Sequence, residues 1–346
     1  MEDAVSVIVP IYNRAAIVPL TLDSVAAQSV RVRRLVCVDD GSTDGGAKVV
    51  DAWRRRNESQ FGEFVLIRQP NRGVAAARNR GLAVAEDCRW VAFLDSDDCW
   101  PCDFVERATA ALAARSDAVA ASCNRVLRCD HGTRLQAQDL SPLATDPIAW
   151  MFEHGAGIAS ATLFDAARVR MRGGFDEALS TGEDAALFLR LSLDGPWLHL
   201  PGRASLIDRS VGSRPGAEGN LSGKFRDNCR RWAAVYQDFV LHGGGDRALS
   251  PAACRYWLSV IWSRAGRELA LHGEFADARA CYLASLGWHL VNLRTWQRLW
   301  LALVAQWTGF NYLAGPTISA EARQSEQLPT SRDRNSRFGR RSRKAA

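Results

Sequence analysis

The sequence of 346 residues predicts an α/β protein with a Rossmann-like, mostly parallel central sheet, helices on both faces, and an all-helical C-terminal region. Two observations support this prediction. Short apolar runs alternate with stretches of helical spacing in the first part of the chain, which is typical of βαβ units. After about residue 215 the strand-like runs stop, and residues 224–310 have helical spacing with a glycine-rich break at residues 243–245.

The elements follow one another in a regular order. Apolar and β-branched runs predict strands at residues 5–9, 34–38, 64–67, 90–94 and 118–127. Helical spacing follows at residues 17–28, 46–56, 74–86 and 185–193. We therefore expect an α/β domain over residues 1–215, a helical region over residues 216–312, and a disordered basic tail over residues 313–346.

The charge distribution limits the function classes. The chain has 44 Lys or Arg and 38 Asp or Glu, and residues 332–344 alone have seven basic residues and one Asp. The rest of the chain is near charge balance, so we expect no specific nucleic-acid partner. An acidic start at Met1, Glu2 and Asp3 differs from a secretory signal, and this predicts a cytoplasmic protein with reduced thiols.

Residues 286–310 are rich in tryptophan and interrupted by polar side chains. No run of 18 apolar residues exists, so no membrane span is expected. The pattern predicts an amphipathic helix, which either packs on its own protein or lies on a membrane surface. With the basic tail, it suggests peripheral contact through residues 286–346 with the inner face of an anionic membrane.

Polar residues follow three of the predicted strands. Tyr12 to Arg14 follow the first, an acidic turn begins at Asp39 after the second, and another begins at Asp95 after the fourth. In parallel sheets, ligands bind beyond the carboxyl ends of the strands. The sequence therefore predicts that these clusters meet at one edge of the sheet and form a binding site.

The acidic residues suggest a chemistry for that site. Asp95 and Asp97 lie two apart after a buried strand, so both could point to one side and hold one divalent ion. The alternative is a solvated turn. Asp39 could accept hydrogen bonds from a nucleobase, or the segment Asp40 to Asp44 could be no more than a turn and helix cap. We expect both, with a structural cap and a functional Asp39. Asp184 opens a helix, where it could be a cap or a general base.

Six motifs in fixed order resemble the family 2 glycosyltransferases, which have the GT-A fold. They are VIVPIYNR at 7–14, VDDGSTD at 38–44, NRGVAAARNRG at 71–81, FLDSDD at 93–98, GGFDE at 173–177 and GED at 182–184. The resemblance covers about residues 4–210. It implies an inverting transferase that uses a nucleotide sugar with Mn²⁺ or Mg²⁺.

The resemblance also implies roles for single residues. Asp184 would be the catalytic base, and Asp97 with Asp95 would hold the metal. The nucleotide-sugar-binding residues would be Pro10, Tyr12, Asp39, Arg72, Asp95, Ser96 and Arg209. Residues 207–213 lack an aromatic that many relatives have, which puts this loop in doubt. No Gln-x-x-Arg-Trp motif is found, which argues against a processive synthase.

The expected reaction is transfer of a sugar, with UDP as the first expected nucleotide, to a saccharide or lipid-linked acceptor in polysaccharide, glycolipid or glycoconjugate synthesis. One alternative is a sugar nucleotidyltransferase, which would need a phosphate-binding loop rich in Gly, Arg or Lys where Tyr12 to Arg14 lie. The other is a non-catalytic scaffold that binds nucleotide sugars.

Overall fold

The computed structural model describes residues 4–129, 132–208 and 227–308. In these ranges one sheet contains eight strands: β1 (Val5–Ile11), β2 (Arg34–Asp39), β3 (Glu63–Arg68), β4 (Trp90–Phe93), β5 (Ala120–Cys129), β6 (Gly132–Gln136), β7 (Thr162–Asp165) and β8 (Trp197–Asp208). The helices before residue 209 are α1 (Val18–Ala26), α2 (Gly46–Asn57), α3 (Val74–Ala83), α4 (Phe104–Ala113), α5 (Pro147–His154), α6 (Ala166–Met171) and α7 (Glu183–Leu191).

The sheet has the strand order β3-β2-β1-β4-β7-β5-β6, and β8 pairs with β5. The first four strands in this order are parallel, as are β5 and β8. The pairs β4–β7, β5–β7 and β5–β6 are antiparallel. The prediction of an α/β fold with a mostly parallel sheet is confirmed, with an antiparallel insertion between its two parallel parts.

Both faces of the sheet are covered, as predicted. All seven residues of β1 are buried, because a central strand contacts helices above and below. Ile8 belongs to a core on one face that includes residues of α3, α5 and α7. Val7 and Val9 belong to a second core that includes residues of α1, α2 and α4. This alternation follows from the two-residue period of a strand.

Helix α3 lies unusually close to β1. A Cβ atom added to Gly81 would lie 2.4 Å from Cγ2 of Ile8, well inside van der Waals contact. Gly81 is therefore needed at this position to let the helix approach the sheet. This close approach fixes the part of α3 that carries Arg78 against the strand end where the predicted site begins.

The helical region contains α8 (Asn228–Leu241), the short α9 (Gly245–Ala248), α10 (Pro251–Leu271), α11 (Phe275–Trp288) and α12 (Leu293–Thr308). Helix α8 joins the core of the α/β part, where the ring of Tyr236 packs edge-on against Phe152 at 4.8 Å. Helices α10 and α11 pack against each other as a helical hairpin. No helix of the described ranges is long and apolar enough to cross a bilayer.

Sequence analysis does not predict several elements: strands β6, β7 and β8 and helices α4, α5 and α6. Strand β7 has four residues and leads directly into α6, so no hydrophobic period can develop. The expected domain boundary at residues 215–216 and the basic tail at residues 313–346 lie outside the described residues.

We expect Gly81→Ala to lower the free energy of unfolding by about 1–3 kcal/mol, because the methyl group overpacks the contact with Ile8. The matched control is Gly287→Ala in α11, where an added Cβ meets nothing within 4 Å. It should leave stability unchanged or raise it by up to about 1 kcal/mol through helix propensity. Urea unfolding of both variants checks this, and equal effects would contradict the tight contact.

Candidate active site

The carboxyl ends of β1, β2 and β4 open into a cleft of about 500 Å³. Their register aligns Ile11 with Asp39 and Ile8 with Phe93, so the segments that follow these strands start side by side. The structure therefore brings together the clusters that follow the strands. Six of the predicted site residues line the cleft: Pro10, Tyr12, Asp95, Ser96, Asp97 and Asp184.

Asp39 is not among the residues that line this cleft. Its side chain is buried, and its two carboxylate oxygens accept hydrogen bonds from the Ser42 amide at 3.0 Å and from Nε of Arg68 at 3.1 Å. The Arg68 side chain is 67% exposed, so it can swing away. Asp39 can contact a nucleobase only if the Arg68 side chain moves away. The role of Asp39 in base recognition stays a prediction.

The neighbouring Asp40 shapes the wall of the cleft. Its carboxylate oxygens accept hydrogen bonds from the backbone amides of Arg72 and Gly73, both at 2.9 Å. Gly41 makes this contact between loops possible, because it has a φ of +78° and an added Cβ would lie 2.8 Å from the Asn71 nitrogen. The acidic turn therefore holds the loop after β3, in addition to leading into α2.

Two other predicted site residues are Arg72, which does not line the cleft, and Arg209, which is not among the described residues. The Arg72 guanidinium is exposed and donates to Glu177 at 3.0 Å, and Arg72 does not line the cleft. Arg209 lies outside the described residues, directly after Ile207 and Asp208, which both line the cleft. The roles of Arg72 and Arg209 therefore stay predictions.

A buried arginine connects two sides of the cleft. Arg78 of α3 donates to Glu183 at 2.8 Å and to Asp95 at 2.7 Å, and its guanidinium lies 5.0 Å from the centre of the Phe175 ring. Burial alone would lower the pKa of Arg78, but the charges of Asp95, Glu183 and Asp184 outweigh it and raise that pKa. Arg78 therefore remains a fixed cation between the strand end and helix α7.

The other acidic residues of this turn are also engaged. Asp97 forms an ion pair with Arg14 at 3.6 Å, which joins the β4 end to the β1 end. Asp98 is buried, and its carboxylate accepts a hydrogen bond from the Asp208 amide at 3.0 Å. Burial, followed by the charges of Asp97 and Asp95, raises the pKa of Asp98. Asp98 is therefore suited to fix the end of β8 through this hydrogen bond, and not to place a negative charge in the cleft.

Asp95 and Asp97 have the right chemistry for Mg²⁺ or Mn²⁺. Both line the cleft and offer carboxylate oxygens, the ligands that such hard cations prefer. Within residues 4–129, 132–208 and 227–308, no group of three or more His, Cys, Asp or Glu is arranged as a metal site. Such cations often bind through one or two carboxylates plus substrate phosphates, and two carboxylates meet that requirement.

Asp184 has the most unusual acidity in the cleft. Burial, with the negative charge of Glu183 and a smaller contribution from Asp95, raises its pKa to about 7, against the opposing effects of Arg78 and the Ala185 amide. The raised pKa lies near neutral pH, where a carboxyl group transfers protons efficiently. Asp184 also lies in the first turn of α7, where the helix dipole favours a carboxylate, so its role as a base stays a prediction.

The helical region completes the cleft. Trp232 of α8 lines it, with its indole nitrogen 3.3 Å from the Thr181 hydroxyl and its ring against Gly182. The Tyr236 hydroxyl accepts a hydrogen bond from the Ala156 amide at 2.8 Å. Since Ala156 also lines the cleft, α8 positions both a side chain and a backbone segment there.

Sequence analysis gave no role to three residues that line the cleft: Arg78, Glu183 and Trp232. Arg78 follows three alanines in a helix that packs on the sheet, and a lone charge on such a face is a signal for a buried ion pair. Its partner Glu183 is 105 residues away, and no local pattern identifies it.

The fold is an α/β fold of the GT-A type, as the resemblance implied. The family model described as "Glycosyl transferase family 2" matches residues 6–165. This match confirms the expected resemblance over that segment of the chain.

Curated relatives agree with this assignment. TuaG from Bacillus subtilis (strain 168), a glycosyltransferase named for teichuronic acid biosynthesis, is 37% identical over 139 residues, which are 40% of this chain and 50% of TuaG. Glycosyltransferase GlyA from Streptococcus pneumoniae serotype 4 is 35% identical over 106 residues, which are 31% of this chain and 14% of GlyA. The chain spans half or less of the length of these relatives.

Two solved structures have the same fold over most of the chain. Residues 1–349 of Staphylococcus aureus TarS, in complex with UDP-GlcNAc, superpose with a TM-score of 0.61 at 17% identity, covering 89% of this chain and 93% of that chain. Mannosyltransferase PcManGT from Pyrobaculum calidifontis, in complex with GDP-Man and Mn²⁺, has a TM-score of 0.57 at 19% identity, covering 89% and 87%. At these identities the likeness supports the fold alone.

We expect Arg78→Met to lower the free energy of unfolding by about 3–5 kcal/mol, because it leaves the buried Glu183 carboxylate without its partner. The double variant Arg78→Met/Glu183→Met should regain a large part of that loss. The measurement is urea unfolding of the two single variants and the double variant.

The matched control for this cycle is Arg72→Met, which breaks the exposed pair with Glu177 at a similar distance of 3.0 Å. It should change stability by less than about 1 kcal/mol, because exposed ion pairs contribute little. Equal losses from Arg78→Met and Arg72→Met would show that burial of the Arg78–Glu183 pair does not matter.

Proposed function

We propose that this protein is an inverting glycosyltransferase that moves a sugar from a nucleotide-sugar donor to an acceptor hydroxyl. One observation carries the proposal: a single cleft contains the acidic pair Asp95 and Asp97, arginines beside both, and a separate carboxyl group, Asp184, whose pKa is raised to about 7. The match of residues 6–165 to a glycosyltransferase family model supports the same reaction.

The donor would bind along the strand ends. Pro10 and Tyr12 line the part of the cleft after β1, where Tyr12 can lie against the base, and Ser96 lies between the two acidic residues. Asp95 and Asp97 would hold Mn²⁺ or Mg²⁺, which when bound neutralises charge on the departing nucleoside diphosphate. We also assign base recognition to Asp39, and nucleotide contacts to Arg72 and Arg209.

Asp184 would act on the acceptor. The acceptor oxygen forms a bond with the anomeric carbon, while the bond from that carbon to the diphosphate oxygen breaks. The acceptor proton passes to the Asp184 carboxylate. Attack from the face opposite the departing group inverts the anomeric centre, and no covalent enzyme intermediate is needed.

The acceptor would enter beside Trp232, because this side chain packs against Gly182, two residues before Asp184. A saccharide or lipid-linked acceptor fits our proposal, and the name of the B. subtilis relative supports a role in cell-surface polysaccharide synthesis. UDP is our first choice of nucleotide. The neighbouring structures bind UDP-GlcNAc and GDP-Man, so both nucleotides belong in a test.

The two alternatives fit the cleft less well. A sugar nucleotidyltransferase would need several phosphate-binding groups after β1, but the one basic residue in the turn from Tyr12 to Arg14 is Arg14, which pairs with Asp97. Perturbed pKa values cluster at functional sites, so the raised pKa of Asp184 beside the acidic pair favours an enzyme over a non-catalytic scaffold. Donor binding without any sugar transfer or donor hydrolysis would favour the scaffold.

We expect nucleoside diphosphate release from one donor in a panel of UDP-, GDP- and dTDP-sugars with Mn²⁺, and loss of that release on chelation. Asp184→Asn should reduce the rate by a factor of about 10²–10⁴, because it removes the proton acceptor, and should leave donor binding nearly unchanged. Release assays and donor titration calorimetry measure the two effects.

The matched control is Asp51→Asn, the same change of carboxylate to amide on α2 at a residue that does not line the cleft. It should keep full activity. If Asp184→Asn released diphosphate as fast as Asp51→Asn, another group would be the base. If no donor bound in the presence of metal, the transferase assignment itself would fail.

The pH dependence follows from the raised pKa of Asp184. The carboxylate is the active form, so kcat/KM should fall about tenfold per pH unit below an apparent pKa near 7, rather than below pH 4. Glu183→Gln should move this limb to lower pH, because it removes a negative charge that raises the pKa of Asp184. An acid limb near pH 4 in the unmodified protein would contradict the base assignment.

A further inference from the structure

Helix α12 exposes a continuous apolar stripe that no described residue covers. Its members are large apolar side chains with exposed fractions between 48% and 93%: Leu293, Trp296, Trp300, Leu303 and Trp307. Exposed Leu290 and Val291 directly precede the helix. Three tryptophans on one exposed helix face form the kind of contiguous patch that marks an interaction surface.

The stripe is a separate face of the helix. At about 100° per residue, the spacing of three and four residues places all five side chains within a sector about 80° wide. A different face packs inward through Thr295, Leu299, Ala302 and Ala305, which are all buried. Folding therefore accounts for the inward residues of α12. Of the tryptophans, Trp296 donates its indole N–H to the Leu290 carbonyl at 2.8 Å, and the apolar ring surfaces stay exposed.

The charge around the stripe has one sign. No Asp or Glu occurs from residue 278 to residue 320, a range that includes all of α12. From residue 278 to the end of the chain there are eleven Lys or Arg and three Asp or Glu. A partner with negative charge is therefore attracted to this part of the chain, and no carboxylate near the stripe in sequence opposes it.

We infer that α12 docks on an anionic lipid bilayer through this stripe, lying in the plane of the membrane surface. Tryptophan prefers the headgroup level of bilayers, where its ring is half in apolar surroundings and its N–H stays polar. Insertion of the stripe and attraction of the basic residues are two weak signals that together give stable anchoring. This surface is independent of the cleft and of the proposed sugar transfer.

A second copy of the chain fits the stripe less well. Sixteen residues give about two heptads, while a coiled coil needs at least about three. Tryptophan is also far larger than the Leu, Ile or Val that pack well at such positions. The length, the tryptophans and the basic charge favour a lipid surface over a helix pair.

The test is co-sedimentation of the full chain with vesicles of phosphatidylcholine that contain about 30% phosphatidylglycerol, compared with phosphatidylcholine alone. We expect binding to the anionic vesicles and little to the neutral ones. The triple variant Trp296→Ser/Trp300→Ser/Trp307→Ser should weaken partitioning at least about tenfold, because three interfacial anchors are lost.

The matched control changes three other exposed apolar residues outside the stripe: Leu135→Ser/Met171→Ser/Leu241→Ser, with exposed fractions of 59%, 63% and 50%. It should bind as the unmodified protein does. Raising NaCl from about 0.1 M to about 0.5 M should weaken binding of the unmodified protein, because salt screens the basic residues. Donor binding should be the same in both triple variants, which separates this surface from the cleft.

Three outcomes would overturn the inference. The first is no sedimentation of the unmodified protein with anionic vesicles. The second is equal binding by the tryptophan variant and the control variant, which would assign all binding to charge. The third is a dimer in solution that becomes a monomer only in the tryptophan variant, with vesicle binding unchanged, which would assign the stripe to a second copy.

Discussion

The buried guanidinium of Arg78 is the constraint on which the active-site cleft depends. It binds Glu183 at the start of α7 and Asp95 after β4, so it holds together two segments that are about ninety residues apart in sequence. A buried charge is tolerable only when it is paired and hydrogen-bonded. Burial is the main cause of the raised pKa of Asp184, and the two members of this ion pair act on it in opposite directions, because Glu183 raises the pKa and Arg78 lowers it. The ion pair therefore positions the strand end and helix α7 and also influences the acidity of Asp184.

Loops after the parallel strands are held by one another rather than by the sheet alone. The Asp40 carboxylate accepts from two amides of the loop after β3, and Asn13 accepts from the Thr43 amide at 2.8 Å. Asn13 has a φ of 51°, a conformation that asparagine tolerates better than most residues. These contacts give the strand ends a defined shape before any ligand binds, which lowers the conformational entropy lost on binding.

The helical region presents two features on different surfaces. Helix α8 contributes Trp232 to the cleft and Tyr236 to the core of the α/β part, so the first helix after the sheet is a working part of the site. Helix α12 presents its tryptophans away from that core. A protein with both features would bind a polar substrate in the cleft and a lipid surface at α12. The cleft is polar and the stripe is apolar, so each surface would select its own ligand.

The sequence by itself determined the parallel strands β1 to β4, the helices between them and the acidic turns, because these depend on local hydrophobic period and on turn chemistry. The resemblance also implied that Asp95, Asp97 and Asp184 share a site, and all three line one cleft. Only the tertiary structure decided which partners they have. Three such contacts join residues far apart in sequence. Arg78 pairs with Glu183, Arg68 covers Asp39, and Trp232 lines the cleft. No local pattern encodes such contacts, and the pKa of a carboxyl group depends on them, so it emerges only when the chain is folded.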